Sequence, residues 1–245
     1  MNHRQLIVIQ HIPREGPGLF EVIAKELGFE VNVFRMDLNH PLPKPKKTDL
    51  LLIMGGHMGV KDINNPLYNW MQKEVFLIQE AIKSGVGVIG ICLGAQLLAH
   101  ASGGGIEKLL EERSGKPLPE IGWSKIIPVS ENKNEEISQY FKAPLDVLHW
   151  HGDRILLPKN SHLLGSSNRC KEQFFKIGNR AYGLQCHIET NEMMVQEWIN
   201  KDKEFIYSGL GENGLEILRR EELIYEGMSE SSRKDLIRGL LTILT

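Results

Sequence analysis

The stretch from Val86 to Gly105 constrains this chain more than any other. Val86 to Ile91 is made of β-branched residues broken only by glycines, the pattern of a buried strand. Past Cys92, the residues Leu97, Leu98 and Ala101 mark one face of a helix over Leu93–Ser102. A strand must therefore turn into a helix at a single residue, and that residue is a cysteine. Gly90 and Gly94 stand two positions to either side, the G-x-C-x-G spacing of a nucleophile elbow, where larger side chains would collide. The sulfur is then expected at the carboxyl end of a strand, facing the positive end of a helix that favours thiolate over thiol. The Leu93 N–H is placed to donate to an oxyanion. Taken alone, Cys92 reads equally well as a small buried hydrophobe, so partners elsewhere must decide.

The flanking chain fits that turn. Leu6–Ile12, Phe29–Phe34 and Leu50–Met54 read as apolar strands, separated by a helix from the Gly16-Pro17-Gly18 turn to Gly28 and by a proline-rich connector at Pro41–Pro45. A helix over Pro66–Ser84 leads into the elbow strand. Strands that are apolar throughout and alternate with helices predict an α/β fold, a doubly wound, flavodoxin-like and mostly parallel sheet with helices on both faces. Ligands gather at the carboxyl ends of such strands, where Gly55–Met58 and Cys92 both fall. Beyond Ile106 the alternation loosens. Glu120–Val129, Leu145–Trp150, Phe174–Ile177 and Ala181–Ile188 read as strands, Glu135–Phe141 as a short helix and Asn191–Lys203 as a longer one. Residues 1–203 are expected to form one domain. Residues 204–245 read as a helical extension packed on it, with Leu236, Ile237, Leu240, Leu241 and Leu244 on one face; that face is expected to dock on the domain or on a second copy in a homodimer.

Composition narrows the classes. A net charge of -2 over 245 residues gives no electrostatic case for nucleic acid or an anionic membrane. Three cysteines argue against a disulfide framework and fit a reducing compartment. The first apolar run is too short for a signal-peptide core and no later one is long enough to span a bilayer, so the cytoplasm is the expected location.

A cysteine nucleophile needs a base, and the base needs an orienting carboxylate. His187 and Glu189 fall at the end of the strand read over Ala181–Ile188, where residues i and i+2 share a face. Without the elbow this is a solvent-facing His-x-Glu pair; with it, the pair completes a triad. Cys186 points the other way and reads as core, and Cys170 lies in a polar loop. His149 and His151 share a strand face, but no partner at ligand spacing accompanies them, so neither a metal nor a cofactor is expected. His57, His100 and His162 read as ordinary loop and helix residues.

Taken in order, Met54-Gly55-Gly56, Gly90-Ile91-Cys92-Leu93-Gly94-Ala95-Gln96 and His187-Ile188-Glu189 resemble the class I (triad) glutamine amidotransferases, and in particular free-standing proteins similar to the glutaminase domain of GMP synthase. Glu120-Ile121-Gly122-Trp123 and Leu148-His149-Trp150-His151-Gly152-Asp153 resemble further landmarks of that subgroup, and the similarity runs from about Leu6 to Lys201. It implies Cys92 as nucleophile, His187 as acid and base and Glu189 as its orienter. It further implies oxyanion N–H groups from Gly56 and Leu93, and substrate contacts from Gln96, Trp150, Gly152 and Asp153. The substrate would be glutamine or another γ-glutamyl compound. The family often has proline where this chain has His57. Ser102–Gly105 superficially resembles a pyrophosphatase phosphate loop, but it follows a helix and lacks the Asp-Ser that should come next, so any ammonia-accepting synthase would be a separate chain. The alternatives are a γ-glutamyl peptidase with the same triad, and a catalytically silent regulatory protein. The related DJ-1/PfpI hydrolases place histidine after the elbow cysteine, where this chain has Leu93.

Overall fold

An apolar run stays buried only if both faces of its strand are covered, and Leu6, Val8 and Ile9 in β1 (Gln5–Gln10) are each 0% exposed. The computed structural model describes residues 4–132 and 134–245. β1 pairs in parallel with β2 (Glu30–Arg35) and β3 (Leu50–Ile53), β3 with β4 (Gly87–Ile91), and β4 with β11 (Ala181–Leu184). These five strands, in the order β2-β1-β3-β4-β11, are the expected doubly wound core. The sheet continues antiparallel through β10 (Phe174–Ile177), β9 (Ser161–Ser166), β6 (Glu120–Pro128) and β7 (Leu145–His151). A separate ribbon pairs β5 (Gly105–Lys108) with β8 (Asp153–Leu156).

Helices close both faces. On one lie α2 (Met71–Ser84) and α3 (Leu93–Ala101), sharing a core with Ile7, Ile9, Leu51 and Val88. On the other, α1 (Leu19–Glu26) packs with α6 (Gly214–Ile243), whose Leu236, Ile237, Leu240 and Leu241, with Leu244 just beyond, are all 0% exposed and join the cluster of Leu6, Val8 and Ile89. The terminal leucine face therefore docks within the chain itself. α4 (Glu192–Lys201) and α5 (Lys203–Leu210) gather around Trp150 and Trp198 in a third, smaller cluster.

Several boundaries differ from the sequence expectation for physical reasons. β11 stops at Leu184 instead of Ile188, because its partner β4 ends at Ile91, where the elbow turns away. The chain then crosses to β7, and His187 forms an isolated antiparallel bridge with Leu148. α2 begins at Met71; Pro66–Tyr68 is a 3-10 turn capped by the Asn65 side chain. Residues Glu136–Gln139 likewise form only a 3-10 turn. The sequence pattern does not announce β5, β8 and β9, since among the described residues β5 and β8 pair only with each other, and all three are largely half-exposed.

Candidate active site

Cys92 takes the turn with φ +49 and ψ −104, a conformation that side-chain-bearing residues rarely adopt. Among the described residues only Asn39 is another non-glycine with positive φ. Backbone hydrogen bonds hold the strained residue: Cys92 N–H donates to Leu184 O at 2.8 Å, and Gly94 N–H to Met54 O at 3.2 Å. The flanking glycines are required by close approach. A Cβ on Gly90 would lie 2.4 Å from Gly94 O, and one on Gly94 would lie 2.1 Å from Ile53 O. Leu93, the first residue of α3, keeps its N–H free of any intrahelical acceptor.

His187 and Glu189 lie behind the cysteine, 1% and 0% exposed. The imidazole Nδ1–H donates to Glu189 Oε1 at 2.7 Å, which leaves the other ring nitrogen for the Cys92 sulfur, whose charge acts on the ring. Burial works against the imidazolium, but the Glu189 carboxylate and the nearby Cys92 sulfur outweigh it, and His187 titrates well above its usual range. The imidazole and the Trp198 ring pack in a T-shaped arrangement, with ring centroids 4.8 Å apart. The three groups named from sequence are thus brought together, although the strand meant to carry the pair ends before it.

Cys92 opens on a cavity of about 280 Å³, near the lower end of ligand-pocket sizes. Gly56, Leu93, Gln96, Trp150, Gly152 and Asp153 all border it. Gln96 does so with its amide nitrogen already donating to Gln185 Oε1 at 3.2 Å, and Gln185 in turn donates to Cys92 Sγ at 3.6 Å. His57 borders the cavity and sits 3.2 Å from the Tyr68 hydroxyl.

Sequence reasoning missed Glu15, Gln185 and Asp202. Arg14, from the same loop as Glu15, donates to Asp202 at 2.7 Å, and Asp202 also accepts from Trp150 Nε1 at 3.2 Å. Lys108 and Asp153 pair at 2.6 Å on the same rim. Glu15 has no such partner among the described residues, yet is only 5% exposed. Burial pushes its carboxyl up to about 6, against the pull of His187 and Arg14. Nothing local in Pro13-Arg14-Glu15-Gly16 distinguishes it from a solvated loop charge.

The fold also supplies partners that the spacing around His151 did not suggest: ligand atoms of Glu120, His151 and Cys170 lie within 4.8 Å of one another. The Gln173 amide donates to Glu120 at 2.8 Å and lies 3.1 Å from His151 Nε2, tying the two together. Burial pushes the Cys170 thiol up to about 12, so this sulfur stays protonated and unreactive at neutral pH. Cys186 is 0% exposed and belongs to the core, as expected.

Residues 21–201 match the glutamine amidotransferase class-I family. This chain belongs to that family. Class I amidotransferases are cysteine-dependent amide hydrolases and transferases, and the chain is accordingly an enzyme of that kind. It is 28% identical over 205 residues, 83% of each chain, to the glutamine amidotransferase-like protein YfeJ of Salmonella typhimurium. A glutamine-hydrolysing GMP synthase subunit of Saccharolobus solfataricus is 29% identical over 173 residues, 68% of this chain and 79% of that one. γ-Glutamyl peptidase 3 of Arabidopsis thaliana is 28% identical over 139 residues, 54% of this chain and 53% of that one. The crystal structure of a glutamine amidotransferase from Thermotoga maritima superposes with a TM-score of 0.81 at 29% identity, over 100% of this chain and 99% of that one. No helix among the described residues is long and apolar enough to cross a membrane.

Proposed function

We propose that this class I amidotransferase hydrolyses the γ-amide of glutamine, or of a small γ-glutamyl compound, through Cys92, His187 and Glu189. The observation that carries the reading is the strained elbow cysteine on an amino-acid-sized cavity, electrostatically coupled to a buried, hydrogen-bonded His–Glu pair. The Cys92 thiolate attacks the γ-carbonyl carbon. The backbone N–H groups of Gly56 and Leu93 receive the developing oxyanion, and Gln185 steadies the sulfur. His187, held protonated by Glu189, gives its proton to the departing nitrogen as the C–N bond breaks, leaving a γ-glutamyl thioester. The neutral imidazole then takes a proton from water. The hydroxyl adds to the thioester carbon, the C–S bond breaks and glutamate is released.

Because the imidazolium is the proton donor to the leaving group, turnover should fall on the alkaline side as His187 deprotonates, at a pH well above 6.5. The pH profile of kcat checks this. The likeness to the GMP synthase glutamine-hydrolysing chain supports a separate synthase that receives the ammonia. The likeness to γ-glutamyl peptidase 3 supports a second reading, in which an amino acid leaves instead. Ammonia release from glutamine, measured against amine release from γ-glutamyl dipeptides under the same conditions, separates the two.

Glu15 supplies an independent check. Its carboxylate, unpaired among the described residues, borders the cavity and suits the α-ammonium of a γ-glutamyl substrate. A carboxyl raised from 4.5 to about 6 is stabilising only while protonated, and that contribution is lost as pH rises through about 6. At pH 8 the ionised group destabilises the fold by about 2 kcal/mol. Glu15→Gln is therefore expected to raise the Tm at pH 8 by about 4–8 °C, with the gain vanishing toward pH 4.5, while KM for the amide substrate rises at least about tenfold. Thermal melts at the two pH values and steady-state kinetics measure both effects.

A further inference from the structure

α6 lies outside residues 21–201, the part of the chain matched by the family, yet it reaches the candidate triad through one side chain. Arg233 is 0% exposed in the middle of this helix. Its Nη1 donates to Thr190 O at 2.7 Å, to Thr190 Oγ1 at 3.2 Å and to Ile188 O at 3.4 Å. Its Nη2 donates to Glu226 Oε1 at 2.6 Å and Glu226 O at 3.1 Å, and its Nε to Ser229 Oγ at 3.0 Å. The guanidinium carbon stands 5.2 Å from the centre of the Trp123 ring.

Two of the three carbonyls that Arg233 grips belong to the residues immediately before and after Glu189. Glu189's own carbonyl accepts the Leu19 N–H at 2.8 Å, so α1 holds the same segment from another side. This matters because β11 has already ended at Leu184, and past the bridge at His187 no ladder fixes the backbone. A buried guanidinium is expensive to desolvate, and an apolar residue would serve helix packing at least as well. Such a group is explained if its fork of donors has geometric work to do.

We propose that Arg233 is a positioning residue: by clamping the carbonyls of Ile188 and Thr190 it sets the Glu189 carboxylate against the His187 imidazole, making the C-terminal helix part of the active-site scaffold. The inference rests on the triad reading above for its consequence in turnover, but not for its consequence on the imidazole. The titratable groups that act on His187 are Glu189, Cys92, Glu15 and His149, and none of them is a hydrogen-bond partner of Arg233.

The test compares wild type with Arg233→Met, which keeps the bulk, and Arg233→Lys, which keeps the charge but loses the fork. Two readouts are taken on the full chain, at a temperature where each variant is folded by circular dichroism: kcat and KM for γ-glutamyl amide hydrolysis, and titration of the His187 ring by NMR. Removing a cation by itself would raise the imidazole's pKa, whereas loosening the Glu189 contact lowers it, so the sign discriminates. The expected result is a fall of about one pH unit in Arg233→Met, a kcat lower by on the order of 10²-fold with KM within about twofold, and a smaller loss in Arg233→Lys. Should either variant fail to fold alone, millimolar guanidinium is expected to restore folding and a fraction of kcat to Arg233→Ala. An unchanged or raised His187 pKa with wild-type kcat in folded Arg233→Met would overturn the proposal. A wild-type protein that turns over no γ-glutamyl amide would defeat the triad reading, while the ring titration would still decide the clamp.

Discussion

His187→Gln is expected to lower kcat for γ-glutamyl amide hydrolysis by about 10⁴-fold or more, with KM changed only a few-fold. Glutamine preserves much of the shape and can still hydrogen-bond to Glu189, but it cannot carry a proton between sulfur, leaving nitrogen and water. The imidazole is almost wholly buried beside Trp198, Glu189 and Cys92, so no base diffusing from bulk solvent takes its place. The loss belongs to the chemical steps because His187 carries protons rather than holding the amino-acid end of the substrate, and binding is left largely intact. Single-turnover kinetics would place the defect before thioester formation. A variant with kcat within tenfold of wild type would show that the base lies elsewhere.

The second large effect is on folding. Gly94→Ala puts a methyl group 2.1 Å from Ile53 O, 2.7 Å from Ile53 C and 2.9 Å from Ile53 Cγ2. Two of these are backbone atoms of the central strand β3, which pairs on both sides and cannot retreat. The expected loss is about 4 kcal/mol or more, a large share of the roughly 5–15 kcal/mol by which a domain is stable. Gly227→Ala is the matched control. It lies within α6 with nothing within 4 Å of the new methyl group, and should stabilise by about 0.5–1 kcal/mol. Urea denaturation of the two variants against wild type measures the contrast. Equal stability for Gly94→Ala would mean that the elbow is not drawn tight against β3.

What could be read from the sequence follows from how local each feature is. The elbow is specified within five residues, Gly90 to Gly94, and the all-apolar runs around Leu6, Leu51 and Ile89 announce a doubly covered parallel sheet. His187 and Glu189 are two residues apart, so their pairing survives the early end of β11. Glu15, Gln185, Asp202 and Arg233 are different. Each acquires its role from its surroundings in the fold: Asp202 from Arg14, Arg233 from Ile188 and Thr190, Gln185 from Cys92, and Glu15 from its place on the cavity wall. In the sequence they are ordinary polar residues among others. The half-exposed strands β5, β8 and β9 escape notice because strand pairing alone, without a buried face on both sides, leaves little periodic signal.

The most direct measurement is intact-protein mass spectrometry after acid quench of a reaction with a γ-glutamyl amide, followed by peptide mapping. The account predicts a γ-glutamyl thioester carried on Cys92, absent from Cys92→Ala, which should also lose turnover. Turnover by Cys92→Ala at the wild-type rate, or an adduct located on Cys170 or Cys186 instead, would contradict it.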